Sequence, residues 1–361
     1  DFISIHLQTL KSIKVLSQGN PKAPDLKHKK TGKLLWIHGF QTPPWVKIEL
    51  KELNLLDSTN THNVLPKLHV QGRIDLLNLI KACGKEKNTS KVRKIHADMV
   101  QRKWISKDVY IATALLSTYA KCGAFNEARE IFDQLPVHSV VSWTSLISGY
   151  TQHGFGEKAL DCFREMQDEG ICPDAITYNC LLKACGMAGA LEIGESIENE
   201  VRKQGLLEKN GILGTSLVDM YAKCGSLEKA CKVLKTLPNP GTVSWNALMA
   251  GYSQHGLGEE ILQCFKEMKE EGVTPDAVTY VFILKACGIV GCLDIGKDID
   301  TEVRKQGLLQ KDIVLGTTLL DMYAKCGVLD KAREVFERLP VRDVVSWNAL
   351  ICGYDRHGLG E

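Results

Sequence analysis

Short side chains able to donate or accept hydrogen bonds recur along the chain in two registers. One set is Thr113, Thr144, Asn179, Thr215, Asn246, Thr317 and Asn348; the other is Asp108, Ser139, Asp174, Asn210, Asp276, Asp312 and Asp343. A carboxylate only accepts hydrogen bonds, an amide donates and accepts, and a hydroxyl has one proton to give. Set side by side, one member of each set makes a small hydrogen-bonding template. Catalytic chemistry finds less support. His153, His255 and His357 also recur, each just before a glycine, but no Cys or carboxylate stands at metal-ligand spacing from them. The residues imply no cofactor, no metal and no small-molecule substrate.

The elements that must position these groups are repeats. Lys183 to Gly186 matches Lys81 to Gly84 and Lys285 to Gly288, Tyr221 to Gly225 matches Tyr119 to Gly123 and Tyr323 to Gly327, and Val243 to Trp245 matches Val141 to Trp143 and Val345 to Trp347, each offset by 102 positions. Self-similarity at a fixed period is the signature of a stacked array whose units cannot bury their apolar faces alone. Within Ala175 to Asp276 the pattern of two amphipathic helices occurs three times. Tyr178, Leu181, Leu182 and Cys185 make one helical stripe and Ile193, Ile197 and Val201 the next, with Gly186 and Gly205 expected to close those helices. Leu213, Leu217 and Met220 pair with Ala230, Val233 and Leu234; Trp245, Leu248 and Met249 pair with Ile261, Phe265 and Met268.

The three units are 36, 31 and 35 residues long. That cycle resembles the plant pentatricopeptide repeat family, in its PLS subclass, rather than a tetratricopeptide array with a uniform period near 34. The resemblance covers 73–361 as units 73–108, 109–139, 140–174, 175–210, 211–241, 242–276, 277–312 and 313–343, with a partial unit 344–361. It implies an all-α fold, a right-handed superhelical α-solenoid of stacked helix-turn-helix repeats, and no strand from residue 73 onward.

In that family the fifth and final residues of each repeat read one RNA base, and position two sandwiches the base between neighbouring repeats. Carried over residue by residue, Thr144 with Asp174 reads G, Asn246 with Asp276 reads U, and Thr317 with Asp343 reads G. Thr113 with Ser139 and Thr215 with Gly241 lean to purine, Asn179 with Asn210 to pyrimidine, and Asn348 opens the next pair. Leu77 and Val281 depart from the pattern, which makes their units spacers or weak readers. The sandwiching set is Val141, Ile176, Ile212, Val243, Val278 and Val314. For each of these a packing role, and for each aspartate a helix cap, is the alternative. The implied partner is single-stranded organelle RNA, with other proteins of an editing complex beside it. The implied function is recognition within a cytidine-to-uridine editing factor. Neither H-x-E nor P-C-x-x-C, the zinc-deaminase pattern, occurs here, so a catalytic domain would lie outside this chain. A protein-binding helical scaffold is the rival reading.

Residues 1–72 differ in texture, with ten Lys, no Arg, five acids and five Pro. They read either as a basic leader, a transit segment for a mitochondrion or chloroplast, or as an irregular tail with one frayed helix near 46–56 and a degenerate repeat at 62–72. Subtracting them leaves 35 basic and 38 acidic residues, a net of −3, so bulk attraction to RNA is absent and local Lys183, Lys223, Lys285 and Lys325 must serve. No run of 18 apolar residues encodes a membrane span. Six of thirteen cysteines sit at equivalent helix ends, as small apolar residues of a reducing compartment would. Ending inside a unit, the chain is expected to be part of a longer protein.

Overall fold

A computed structural model describes residues 13–15, 26–28, 34–35, 65–101, 108–209 and 211–358. The chain divides into two compact units, 1–118 and 119–361. In the first, β1 (Ile13–Val15), β2 (Leu26–His28) and β3 (Leu34–Leu35) form an antiparallel sheet in that order, with Val15 opposite Leu26 and Leu26 opposite Leu35. This sheet corrects the reading of the leader as an irregular tail. Strands of two or three residues are too short to show alternation. The frayed helix and the transit segment fall largely outside the described residues.

Helices follow: α1 (Leu65–Lys85), α2 (Thr89–Gln101) and α3 (Val109–Lys121). The expected boundary at 72/73 lies inside α1, which starts where Pro66 can occupy the first turn at no cost to the hydrogen-bond ladder. Asn88 opens α2 by accepting from the Lys91 N–H at 3.0 Å.

The second unit is a succession of hairpins. Its helices are α4 (Phe125–Asp133), α5 (Val140–Gln152), α6 (Gly156–Asp168), α7 (Ala175–Ala188), α8 (Leu191–Lys203), the single turn α9 (Leu206–Lys209), α10 (Gly211–Lys223), α11 (Leu227–Thr236), α12 (Thr242–Gln254), α13 (Gly258–Glu270), α14 (Ala277–Val290), α15 (Leu293–Lys305), α16 (Ile313–Lys325), α17 (Leu329–Arg338) and α18 (Val344–Arg356). From α5 onward the first helix of each hairpin packs on the first helix of the next, in the order α5, α7, α10, α12, α14, α16, α18. The second helices of the hairpins pack against that row. The result is an all-α repeat solenoid, with no strand among the described residues from 73 onward.

Local chemistry sets the helix ends. Asp174, Asp276 and Asp343 each accept from the backbone N–H three residues on at 2.8 Å, Asp312 does so at 3.1 Å and Ser139 at 3.3 Å. These bonds satisfy donors that the first helical turn leaves without partners. At the other end the expectation for Gly186 fails. α7 continues to Ala188 and is closed by Gly189 at φ 66°, because Met187 and Ala188 are good helix formers and the left-handed cap comes only after them. Gly186 instead sits where α10 crosses: a Cβ there would lie 3.2 Å from Lys223 Cδ.

The core lies between the helix rows. Trp143 and Trp245 are buried, as are Tyr119, Tyr221 and Tyr323, and the Tyr323 hydroxyl donates to Asp300 at 2.8 Å. Among the described residues no disulfide forms, and all thirteen cysteines are thiols. Burial pushes the Cys162, Cys185, Cys264 and Cys287 thiols up to about 12, so they are packing groups rather than nucleophiles.

Candidate nucleic-acid interface

The first turn of each first helix separates its side chains by direction. Position-two residues Tyr110, Val141, Ile176, Ile212, Val243, Val278, Val314 and Val345 are between 51% and 75% exposed. The next residue, where it is Ser or Thr, points inward: Ser142, Thr177, Ser244, Thr279 and Ser346 are at most 3% exposed. A β-branched residue that merely packed on its neighbour would be buried, so a repeated ladder of exposed aliphatic groups requires another account.

Position five stands one turn further in, at the margin of that ladder. Asn246 is 9% exposed, and its Nδ2 donates to Asp276 Oδ1 at 3.0 Å while its Oδ1 accepts from the Thr279 hydroxyl at 2.8 Å. Asp276 Oδ1 also accepts from the Thr279 N–H at 2.8 Å. Burial pushes the Asp276 carboxyl up, but bonds from the Thr279 N–H and the Asn246 amide outweigh it and hold the group below its ordinary value. Asp276 thus caps α14 and accepts from the position-five amide with the same carboxylate.

The other pairs vary on this plan. Thr144 and Asp174 are not bonded directly; Thr177 links them, its hydroxyl 2.7 Å from Thr144 Oγ1 and 2.8 Å from Asp174 Oδ1. Thr215 faces Gly241, which offers no side chain, and its hydroxyl meets Ser244 at 2.7 Å instead. Asn179 Oδ1 accepts from Ser216 at 2.5 Å, and its expected partner Asn210 lies outside the described residues. Thr113 donates to the Val109 carbonyl at 2.7 Å. Thr317 and Asp343 are not joined: the Thr317 hydroxyl is buried without a partner, while Asp343 caps α18. Asn348 is exposed on α18.

The buried third-position hydroxyls Ser142, Thr177, Ser244, Thr279 and Ser346 went unread in the sequence. Their signal was present, since a Ser or Thr follows position two in these units, but it is indistinguishable from half of a capping box.

The cationic side chains are fewer than the sequence reading required. Lys223 and Lys325 are held by Asp219 and Asp321 one turn back, at 2.7 and 2.6 Å, while Lys183 and Lys285, like Lys223, are exposed. An α16–α18 cleft of about 400 Å³ is lined by Lys285, Thr317, Lys325, Val345, Asn348 and Arg356, so positions two and five share one recess there. The recurring histidines are architectural: His153 Nδ1 lies 2.9 Å from the Gly149 carbonyl oxygen and His357 Nε2 lies 3.1 Å from that of Ala324. Among the described residues no three His, Cys, Asp or Glu side chains group as a metal site would need, and no helix is long and apolar enough to cross a membrane.

Stacked helical hairpins whose first helices form one row, each with an exposed side chain at position two, define a repeat protein of the α-solenoid class. A family model described as PPR repeat matches residues 77–103, 110–140, 176–206, 215–239 and 317–344, and one described as PPR repeat family matches 138–187 and 240–288. The chain belongs to the pentatricopeptide repeat family. A third model, described as OSB PDF repeat, matches residues 12–55, which include the β1–β3 sheet. Similar curated proteins include a chloroplastic pentatricopeptide repeat-containing protein of Arabidopsis thaliana, 39% identical over 78% of this chain and 45% of its own length. A mitochondrial one of the same organism is 36% identical over 78% of this chain and 44% of its own length. The chain spans about half the length of these relatives. Among solved structures, the pentatricopeptide repeat protein PPR10 in complex with an 18-nt psaJ RNA element is similar in fold, with a TM-score of 0.67 at 18% identity, over 88% of this chain and 50% of that one.

Proposed function

We propose that the row of first helices binds single-stranded RNA, one base per repeat. On this reading the position-two side chains stack on the bases, and positions five and last contact their edges. The observation that carries the proposal is the exposed aliphatic ladder, Val141 to Val345, with bonded polar groups beside it, Asn246 with Asp276 and Thr144 with Thr177. Apolar groups at that spacing supply sequence-tolerant stacking, and the recessed polar groups supply the choice of base. With a net charge of −3 over the array, affinity comes from these contacts more than from phosphate neutralisation.

In the whole protein we assign this array the role of recognition element in an organelle cytidine-to-uridine editing factor of PLS type. The 36, 31 and 35-residue cycle supports that role. The relatives named above are mitochondrial and chloroplastic proteins, and the mitochondrion is our first choice. The array itself is a non-catalytic reader, and any deaminase domain belongs to another part of the full protein.

The test is equilibrium binding, at fixed salt, to an RNA carrying purine, G, pyrimidine, purine, U, any base and G, read 5′ to 3′ along repeats 109–139 to 313–343. Preference over a scrambled RNA of equal composition by about tenfold or more is expected from several base-edge contacts together. Equal binding to both, or binding to extended peptides instead, would support a protein-binding scaffold.

A further inference from the structure

The third residue of a repeat faces the reading residue of the repeat before it, and the geometry there fixes what that reading residue can offer. Asp276 can only accept, so the Asn246 amide must turn Nδ2 toward it, as the 3.0 Å contact shows. The Thr279 hydroxyl has one proton and two acceptors in reach, Asn246 Oδ1 at 2.8 Å and Asp276 Oδ1 at 2.9 Å. Asp276 Oδ1 already receives the Thr279 N–H and the Asn246 amide, and Thr279 Oγ1 itself accepts the Asp276 N–H at 3.1 Å. The proton therefore goes to Asn246 Oδ1. One amide hydrogen and one lone pair of the amide oxygen are spent inside the protein, and the orientation they fix leaves the second N–H as the donor for a ligand.

The threonine sites resolve the opposite way. Thr144 donates its only proton to the Val140 carbonyl at 2.6 Å or to Thr177, 2.7 Å away, and in either case shows a ligand only an oxygen lone pair. Thr215, between Gly211 at 3.2 Å and Ser244 at 2.7 Å, is placed alike. Short repeats have Leu213 and Leu315 at position three, and there Asn179 takes its proton from Ser216 instead. Thr317 is the exception: Ser346 turns its hydroxyl to the Asp343 carbonyl at 2.8 Å and leaves Thr317 without a partner.

We infer that the third-position hydroxyl is a positioning residue for base selection: Thr279 makes Asn246 a fixed donor, and Thr177 and Ser244 leave Thr144 and Thr215 as acceptors. The inference rests on the reading of position five as the base-contacting residue. Two repeats with the same reading residue but different third residues downstream would then differ in selectivity.

The test uses the full 361-residue chain with Thr279→Val, which keeps the shape and removes the hydroxyl, and Thr279→Ser, which keeps the hydroxyl. Each is bound to four RNAs differing only at the nucleotide assigned to repeat 242–276, and to four differing only at that of repeat 140–174. Wild type and Thr279→Ser are expected to prefer U at the first nucleotide. Thr279→Val should lose that preference by about tenfold, the scale of one base-edge contact, with selectivity at the second nucleotide unchanged. Equal weakening on all four bases with the U preference intact would show a merely structural role and overturn the inference. A wild type that binds RNA but ranks the four bases equally at repeat 242–276 would instead overturn the reading of Asn246, and the inference with it. Melting temperatures of both variants separate either result from misfolding.

Discussion

Replacing Gly251 by alanine tests how tightly neighbouring hairpins are drawn together. An added Cβ would lie 2.7 Å from Ala222 Cβ, 2.9 Å from Leu227 Cδ2 and 3.2 Å from Ala222 Cα. Carbon atoms rest at about 3.5–4.0 Å, so α10 and α12 would have to part by roughly 1 Å, and two of the three obstructing atoms are the Cα and Cβ of α10 itself. Overpacking of this kind costs about 1–3 kcal/mol, and the better helix propensity of alanine returns about 1 kcal/mol. With a rigid neighbour the net is a loss of about 1–2 kcal/mol, or a fall of about 2–3 °C in Tm for an array of this size. Gly288 is the matched control, because the nearest atom to its added Cβ is Lys325 Cδ at 3.1 Å, the middle of a flexible side chain, and no backbone atom comes within 3.5 Å. Gly288→Ala should therefore raise Tm. Far-UV circular dichroism melts read both. If Gly251→Ala melts at or above wild type, or Gly288→Ala falls as far as Gly251→Ala, the close-approach argument is wrong.

Two further outcomes are expected. Asp276→Ala should cost about 1 kcal/mol near neutral pH through loss of the α14 cap. Because the folded carboxyl titrates below its usual value of about 3.9, that advantage of wild type is complete above this value and disappears as pH falls through the lowered one; denaturant melts at pH 7 and pH 2 compare the two. Thiol titration under denaturing, non-reducing conditions should recover all thirteen cysteines, whereas native alkylation near pH 8 should reach the exposed Cys172 and Cys352 first and spare Cys162, Cys185, Cys264 and Cys287; a missing pair in the first experiment would contradict the all-thiol structure.

The hairpins were legible in the sequence because their information is periodic. Trp245, Leu248 and Met249 recur at helical spacing, and the structure buries all three. Helix ends were less legible: Gly186 looked like a terminator, but only φ distinguishes a left-handed cap such as Gly189 from a glycine that admits a crossing helix. The close approaches at Gly194 and Gly251 are invisible to any hydrophobic pattern, since a glycine contributes no apolar side chain to it. At the interface, the direction of Val243 could not be separated from packing until its 68% exposure was known. Asn246 and Asp276 are 30 positions apart, and only folding shows that they share a bond and a third partner, Thr279. The β1–β3 sheet left no trace because its strands are shorter than one alternation pattern requires.

The most direct test of the central claim, that each repeat selects a base through its fifth residue, is a swap at Asn246. Asn246→Thr with Thr279 and Asp276 unchanged reproduces the residue set Thr144, Thr177 and Asp174 of the repeat one period earlier. It exchanges an amide bonded to Asp276 and Thr279 for a hydroxyl placed as Thr144 is beside Thr177. Equilibrium binding is measured at fixed salt to RNAs bearing each base at the one nucleotide assigned to repeat 242–276. Preference there is expected to move from U toward G by roughly 1–3 kcal/mol, with preferences at neighbouring nucleotides unchanged. If wild type binds all four RNAs equally, or the substitution weakens all four by the same factor, Asn246 is only a capping and packing residue and the array does not read RNA in this way.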